Sequence, residues 1–488
     1  MATVAKHKQL IPAVLGMIAL MCVFIAGMAL AAQRMGAGPD AGAELRLAGT
    51  HSPAVAIAFT PTYTTYLPLT MHRILPAPNK FGTEIDSDFE DKKGARMIEQ
   101  AGFGWYRHLQ VDWADFEPAY GVYTMTPGGP GHWYDILDQG IARASASGLR
   151  PIIVIRDSPA WAPVGGKRGC DSVRPDRYAH LAAFVNKVVA KYEQPPFNTR
   201  YFELWNEPDW HTPATTWTEV GCWRKASDYV NMLKVVYPAV KAAHPGAVIM
   251  NGGLLELGPW AQTFISTGLN YIDVLAYHAY DTVDQGHSLW NNAADAFPSV
   301  YLSRLDTLRQ WINLYNPARA GIDIFMDEGA LRPGSGAPAL DDLRRAQSYF
   351  AAFMAAQVTG EDLEQYSWYK SNDLENPITN TAYGLEVNQS YYVTNTLYTA
   401  LAFGFERVYQ ATAVTTTRSS TGASIIKLSD ANGQELWLMW NTNGSNSAPF
   451  TYTFTSTPGR VWDVWGGVLP VTTTLTMDDP HKVVWVLR

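Results

Sequence analysis

Two short apolar runs of the sequence lead directly into glutamate residues. Residues 201–205 (YFELW) run into Glu207, and residues 322–326 (IDIFM) run into Glu328. Polar residues at the end of an apolar strand pattern are candidates for chemistry, because strand ends bring together side chains that are far apart in the chain. The pattern therefore selects Glu207 and Glu328 as a pair of carboxyl groups that can act together.

A pair of carboxyl groups can cleave a glycosidic bond. One group donates a proton to the leaving oxygen, and the other attacks the anomeric carbon directly when the two stand roughly 5–5.5 Å apart, which retains the anomeric configuration. The acid needs a raised pKa and the nucleophile needs a stabilised charge, so the two surroundings should differ. Arg107, at the end of another apolar run, can supply the positive charge.

The element pattern explains how these residues can meet. A third run, residues 272–277, leads into His278 and Tyr280, and it is one of eight short apolar runs that alternate with longer helical patterns. Such alternation predicts an α/β fold, a (β/α)8 TIM barrel with its active site at the carboxyl ends of the strands. The predicted strands are residues 81–85, 105–109, 150–155, 201–205, 247–251, 272–277, 322–326 and 363–368.

The C-terminal part has a different pattern. Residues 406–488 contain Thr-rich alternating runs separated by turn signals such as Asn432-Gly433, which predict a small antiparallel β-sandwich. We interpret this sandwich as a structural appendage of the barrel, and sugar binding stays open as the alternative role. The predicted organisation is a signal peptide or membrane anchor (1–32), a Pro/Thr/Ala-rich linker (33–80), the barrel (81–405) and the sandwich (406–488).

The residues at the strand ends resemble clan A of the glycoside hydrolases, with families 5 and 39 as the nearest. In that clan the acid/base follows an asparagine at the end of the fourth strand, as Glu207 follows Asn206 here, and the nucleophile ends the seventh strand, as Glu328 does. The segments 113–123 and 158–161 are similar to the clan's turns after the second and third strands. The resemblance covers residues 81 to 405.

This resemblance implies a retaining O-glycoside hydrolase that works by double displacement, with Glu207 as acid/base and Glu328 as nucleophile. The clan more usually has a small or hydroxyl residue before the nucleophile, so Asp327 stays open as an alternative nucleophile. Two other functions also stay open. A non-catalytic carbohydrate-binding protein would be expected to lose a carboxylate, and a cell-surface transglycosylase would use the same pair with a sugar as acceptor.

The resemblance also implies a set of substrate-binding residues. Asn206 is expected to hydrogen-bond to the 2-hydroxyl of the sugar, Tyr280 to hold the nucleophile, and Trp368 to form the aromatic floor beneath the sugar at subsite −1. Arg107 and His278 complete the set because of their places at strand ends, and a purely structural role stays open for both. The expected substrates are β-linked glycans such as xylan, glucan or mannan fragments.

Composition limits the classes of partner. The chain has 37 basic and 45 acidic side chains, a formal net charge of −8, and no basic run after its first ten residues, which argues against nucleic acid. Its 17 Trp and 25 Tyr residues suit the flat faces of sugars. No CxxC or histidine-rich spacing indicates a metal site. We therefore expect an oligo- or polysaccharide partner and no metal or organic cofactor.

The N-terminus indicates export. Lys6 and Lys8 precede an uncharged stretch, residues 10–32, which fits either a cleaved signal peptide or an uncleaved membrane anchor. Either alternative places the catalytic domain outside the cell, secreted or anchored to the membrane. Cys170 and Cys222 are the two cysteines after this segment. An oxidising compartment would permit a disulfide between them, and two free thiols remain the alternative.

Overall fold

The computed structural model describes most of the chain after residue 78. The described residues are 79–85, 98, 100–124, 133–166, 169, 171–210, 223–283, 299–333, 340–359, 363–369, 396–409, 411–418, 423–441, 450–477 and 483–488. They belong to the second of two compact units, Tyr66–Arg488. The predicted signal or anchor, most of the linker, Cys170 and Cys222 lie outside the described residues. Within the described part of the chain, no helix has the length and apolar character needed to cross a bilayer.

Eight parallel strands form a closed barrel in chain order. They are β1 (Phe81–Ile85), β2 (Trp105–Asp112), β3 (Arg150–Arg156), β4 (Tyr201–Leu204), β5 (Val248–Asn251), β6 (Val274–Val283), β7 (Asp323–Pro333) and β8 (Gln365–Trp368). Pairing of β1 with β8 closes the sheet. The predicted (β/α)8 barrel is confirmed, and all eight strands form where the apolar runs predicted them. The boundaries of the predicted domains stay predictions.

Helices surround the barrel and follow its strands. Those described are α1 (Trp113–Phe116), α2 (Trp133–Ala146), α3 (Tyr178–Tyr192), α4 (Ala226–Ala243), α5 (Pro259–Gly268), α6 (Ser299–Tyr315), α7 (Leu340–Val358) and α8 (Thr396–Val408). Helix α3 shows why they pack there: its buried side chains include Leu181, Phe184, Val185 and Val188, which share one face at helical spacing. These side chains belong to the same buried core as the outward-facing residues of the strands.

The barrel interior begins with an apolar layer. It consists of inward-facing side chains from neighbouring strands: Trp105, Ile152, Met250, Val274, Ala276 and Phe325. Successive residues of a strand point to opposite sides, so the next inward position lies two residues further along each strand. That next layer contains the candidate site.

The C-terminal residues form antiparallel sheets, as predicted. A five-stranded sheet has the order β13-β15-β11-β10-β9, and a two-stranded sheet pairs β12 with β14. The strands are β9 (Ala411–Arg418), β10 (Ala423–Asp430), β11 (Glu435–Asn441), β12 (Phe450–Thr453), β13 (Arg460–Asp463), β14 (Thr474–Met477) and β15 (Val483–Leu487). Side chains such as Trp437 and Met477 fill the space between the two sheets. The outer face of the larger sheet packs on the barrel helices, where Trp440 meets Phe353 of α7 at 4.3 Å between ring centroids.

Candidate active site

Arg107 is the centre of a buried charged cluster inside the barrel. Its Nε and Nη2 atoms donate to the two carboxylate oxygens of Glu203, at 2.9 and 2.8 Å. Nη1 donates to Glu84 and, at 2.9 Å, to Oε2 of Glu328, and Nη2 also donates to Oδ1 of Asn206 at 2.7 Å. These bonds use all five N–H groups of the guanidinium. Burial lowers the pKa of Arg107, but Glu203 and Glu84 outweigh that effect and raise it well above its ordinary value.

Strands β6 and β7 hold the second carboxylate, Glu328. Both strands continue through residues that the sequence pattern placed after them, and their pairing shifts in register between Ala276 and His278, which brings His278 opposite Glu328. Such irregularities re-aim side chains at strand ends. The Tyr280 hydroxyl donates to Oε1 of Glu328, so each oxygen of this carboxylate accepts one hydrogen bond. Burial and the Glu328 charge raise the pKa of Tyr280 well above its ordinary value, which keeps the phenol a proton donor.

Glu207 lies in a strained turn directly after β4. Trp205 and Glu207 have positive φ angles of 78° and 46°, a conformation that side chains with a Cβ rarely adopt. The Glu207 N–H donates to the carbonyl of Gly252 at 2.6 Å. A Cβ atom on Gly252 would lie 2.6 Å from the Trp205 carbonyl carbon, so only glycine allows this approach. Tertiary contacts thus hold Glu207 in a conformation of the kind that clusters at functional sites.

His278 lies between the two glutamates. Its Nδ1 atom is 2.9 Å from Oε1 of Glu207 and 3.6 Å from Oε2 of Glu328. Oxygen atoms of Glu207 and Glu328 lie within 4.8 Å of each other and of this imidazole. Burial lowers the pKa of His278 to about 4, so the ring is neutral at neutral pH. Gly253, with φ of 53°, leaves room for the ring, because a Cβ there would lie 2.0 Å from Nε2 of His278.

Asp209 fastens the loop that carries Glu207. Its carboxylate accepts the backbone N–H groups of Leu255 and Glu256 at 3.0 and 2.8 Å, which ties the turn after β4 to the loop after β5. Burial raises the pKa of Asp209 to about 7, although the two N–H donors act in the opposite direction. The sequence pattern gave this residue no role, because its partners are backbone groups.

The sequence comparison agrees with this arrangement. The model of the family described as Cellulase (glycosyl hydrolase family 5) matches residues 81–360. The chain belongs to glycosyl hydrolase family 5. It is therefore an O-glycoside hydrolase of clan A, as the strand-end motifs predicted. A comparison with curated protein sequences gave no match.

Solved structures share the fold of this family 5 enzyme at low sequence identity. A family 39 glycoside hydrolase from the gut symbiont Bacteroides cellulosilyticus WH2 is 18% identical, with a TM-score of 0.62 over 84% of this chain and 81% of that one. A family 39 β-xylosidase from Caulobacter crescentus is 14% identical, with a TM-score of 0.55 over 86% and 98%. A family 30 subfamily 8 xylanase, Xyn30A, from Clostridium acetobutylicum is 13% identical, with a TM-score of 0.53 over 84% and 95%.

The structure brings six of the seven predicted site residues together. Hydrogen bonds join Arg107 to Glu328 and Asn206, Tyr280 to Glu328, and His278 to Glu207. The structure thus places these side chains at one end of the barrel of this family 5 enzyme. Their catalytic and binding roles stay predictions.

Trp368 does not join this set, which corrects its expected position. Its side chain has no exposed surface, and its ring lies 6.0 Å from that of Phe350 on α7. Strand alternation explains this, because Ser367 faces the barrel interior beside Gly82 and its neighbour in sequence must face the helices. The next residue, Tyr369, is partly exposed, and its ring lies 6.0 Å from Tyr280. A covered ring offers no face to a sugar, so Tyr369 is the aromatic candidate here.

Sequence reasoning missed two buried acids, Glu84 and Glu203. Both are completely buried, and both bind Arg107. A signal was present, since each acid interrupts an apolar strand pattern at an inward position, as in residues 201–205.

Asp327, the alternative nucleophile, is also completely buried, and its Oδ2 atom lies 3.6 Å from Nε of Arg107. Glu328 retains a little exposed surface, which favours it over Asp327 as the group that meets a substrate.

Two sets of donor atoms are close enough to be considered as metal sites. Among the described residues, the sets are Glu203, His278 and Asp327, and Glu207, His278 and Glu328, with the atoms of each set within 4.8 Å of one another. The Arg107 guanidinium binds an acid of each set and would face any cation placed there. This donor chemistry suits a hydrogen-bonded charge network better than a metal ion. The absence of a cofactor stays a prediction.

Proposed function

We propose that this family 5 enzyme is a retaining β-glycosidase that works by double displacement, with Glu207 as acid/base and Glu328 as nucleophile. The observation that carries the proposal is the approach of the two carboxyl groups to within 4.8 Å. Retaining glycosidases hold the pair roughly 5–5.5 Å apart, whereas inverting enzymes need roughly 6.5–9.5 Å to admit a water molecule between carboxylate and sugar.

In the first step, Glu328 attacks the anomeric carbon while Glu207 donates its proton to the leaving oxygen. The glycosidic bond breaks, and an ester forms between the sugar and Glu328. Arg107 and Tyr280 each hold one oxygen of Glu328, which fixes the orientation of the attacking carboxylate. Neutral His278 holds Glu207 through Nδ1 without adding a charge that would oppose proton transfer.

In the second step, Glu207 acts as a base toward an incoming water molecule. Water attacks the same anomeric carbon from the side that the leaving group vacated, Glu207 takes its proton, and the ester to Glu328 breaks. Two inversions give net retention. If a sugar hydroxyl replaces water, the same step is transglycosylation, so these two residues serve both outcomes.

The substrate is proposed from the side chains beside the two glutamates and from the solved structures that share the fold. Asn206, held by Arg107, has an amide suited to the 2-hydroxyl of the sugar, and Tyr369 offers a partly exposed aromatic ring. Because a xylanase and a β-xylosidase share the fold, xylan-type β-glycans are the first substrates to test, followed by β-glucans and mannans.

We also propose that the N-terminal segment exports the enzyme, which then acts outside the cell, secreted or anchored.

The stereochemical outcome tests the mechanism. The full-length protein is incubated with a panel of aryl β-glycosides and polysaccharides, and proton NMR follows the anomer that appears first. We expect the β-anomer from the wild type and no product from Glu328→Ala. First appearance of the α-anomer would overturn the retaining mechanism. Products longer than the substrate at high acceptor concentration would identify a transglycosylase.

A further inference from the structure

Asp327 lies in the charged cluster, where it shares Arg107 with three other acids at a longer distance than any of them. The five N–H groups of Arg107 are all directed at other oxygens, and the 3.6 Å contact from Nε to Asp327 joins a donor that already binds Glu203. Within the described part of the chain, neither carboxyl oxygen of Asp327 accepts a hydrogen bond. An ionised carboxylate that is completely buried in this way would be very costly.

The groups around Asp327 increase this cost. Glu84 on β1, Glu203 on β4 and Glu328 on β7 all share the single positive charge of Arg107 on β2. On β6, the Nε2 atom of His278 lies 3.7 Å from Oδ1 of Asp327.

His278 does not supply the missing positive charge, because burial holds its pKa at about 4. Burial and the charge of Glu203 correspondingly raise the pKa of Asp327 well above its ordinary range. The carboxyl groups of Glu203 and Asp327 are near neighbours, with oxygens within 4.8 Å, and a side-chain hydrogen bond to Glu203 also raises the pKa of Asp327. A proton on Asp327 would therefore have an acceptor beside it.

We propose that Asp327 is a positioning residue that acts as a neutral carboxylic acid and donates its proton to Glu203. This bond fixes Glu203, whose two oxygens hold Nε and Nη2 of Arg107, and so directs Nη1 at Glu328. A neutral Asp327 also leaves the positive charge of Arg107 to the other acids. The inference rests on the proposed function, because it assumes that Glu328, which the guanidinium orients, is the nucleophile.

Infrared spectroscopy of the full-length protein tests the proton on Asp327 directly. A protonated carboxylic acid has a carbonyl stretch at a higher frequency than any carboxylate. We expect such a band at about pH 9, above the pKa of about 7 that burial gives Asp209, and we expect it to shift on ¹³C-aspartate labelling. The band should be lost in Asp327→Asn and kept in Asp323→Asn, an exposed position of the same strand. Absence of the band from the wild type would overturn the proposal.

The pH profile of kcat/KM tests the effect of Asp327 on the catalytic pair. Asparagine resembles the neutral acid, so Asp327→Asn should keep kcat within about threefold and leave both limbs of the profile in place. Removal of an ionised Asp327 would instead move both limbs to lower pH by on the order of one unit, because each glutamate would lose a nearby negative charge. That shift would also contradict the proposal.

A third variant separates positioning from simple filling of space. Asp327→Ala removes the donor to Glu203 and should lower kcat roughly tenfold with little change in KM. Asp327→Asn keeps a donor at this position and should keep kcat near that of the wild type. Equal kcat in the alanine and asparagine variants would argue against positioning. Failure of the proposed function is distinguishable, since it would appear as activity in Glu328→Ala, whereas the infrared band does not depend on turnover.

Discussion

Two layers of the barrel interior lie only two residues apart on the same strands, yet their composition is opposite. On β2 the apolar layer has Trp105 and the next layer has Arg107, and on β7 Phe325 is followed by Asp327. The apolar layer gains stability from the burial of apolar surface and tolerates substitutions by apolar residues of similar volume. The charged layer is stable only while each charge has a partner. The strand scaffold is thus shared, and the chemistry depends on the second layer.

The largest expected effect is loss of the nucleophile. Glu328→Gln should lower kcat by on the order of 10⁵-fold, because glutamine cannot form the glycosyl ester and the adjacent Asp327 is completely buried. Arg107 keeps Glu84 and Glu203 as partners, so the melting temperature should change little. Aryl β-glycoside hydrolysis measures the rate, and Glu364→Gln, at an exposed position, is the matched control. Substantial activity in Glu328→Gln would remove the catalytic role from this layer.

Loss of the acid/base should be smaller and should depend on the leaving group. Glu207→Gln is expected to slow hydrolysis of natural glycans by about 10²–10⁴-fold. Aryl glycosides with good leaving groups need no proton, so their first step should be nearly normal. Comparison of kcat/KM for leaving groups of different pKa measures the difference. An equal loss for all leaving groups would indicate that Glu207 acts in some other way.

A change in the apolar layer should lower the stability of the protein and leave kcat nearly unchanged. Phe325→Ala leaves a cavity in the barrel interior and should lower the free energy of unfolding by about 3–5 kcal/mol. The folded fraction should keep a kcat near that of the wild type. Denaturant unfolding and activity, measured on the same sample, check both parts. A large fall in kcat with unchanged stability would show that the two layers are coupled.

The smallest expected effect is a pH dependence of stability that comes from His278. Its pKa is about 4 in the folded protein, below the ordinary 6.5, so the unfolded chain binds more protons between these values. The free energy of unfolding should therefore rise with pH from about 4 to 6.5, by at most about 3 kcal/mol from this group. His278→Gln should remove that contribution. Parallel stability curves for the two proteins would contradict a buried neutral imidazole.

The sequence predicted the strands better than the details of the strand ends. Apolar runs located all eight strands, and the motif around Glu207 predicted the acid at the end of β4. The pattern did not predict that β6 and β7 continue past His278 and Glu328, because the register shifts there depend on pairing with neighbouring strands. The resemblance to clan A selected Trp368, whose side chain is buried, whereas the side chain of Tyr369 is partly exposed. A one-residue difference reverses the side of the sheet, and periodicity cannot decide it at a strand end.

The C-terminal sheet limits how far this enzyme can be shortened. Its rings Trp440 and Trp462 lie against Phe353 of α7 and Phe403 of α8, at 4.3 and 5.9 Å between centroids. Truncation of the protein after α8 would expose these two phenylalanines to water and create an apolar surface that favours aggregation. A minimal version for biotechnological use would therefore need new polar residues on both helices. The C-terminal sheet therefore protects the apolar surface of two barrel helices from water.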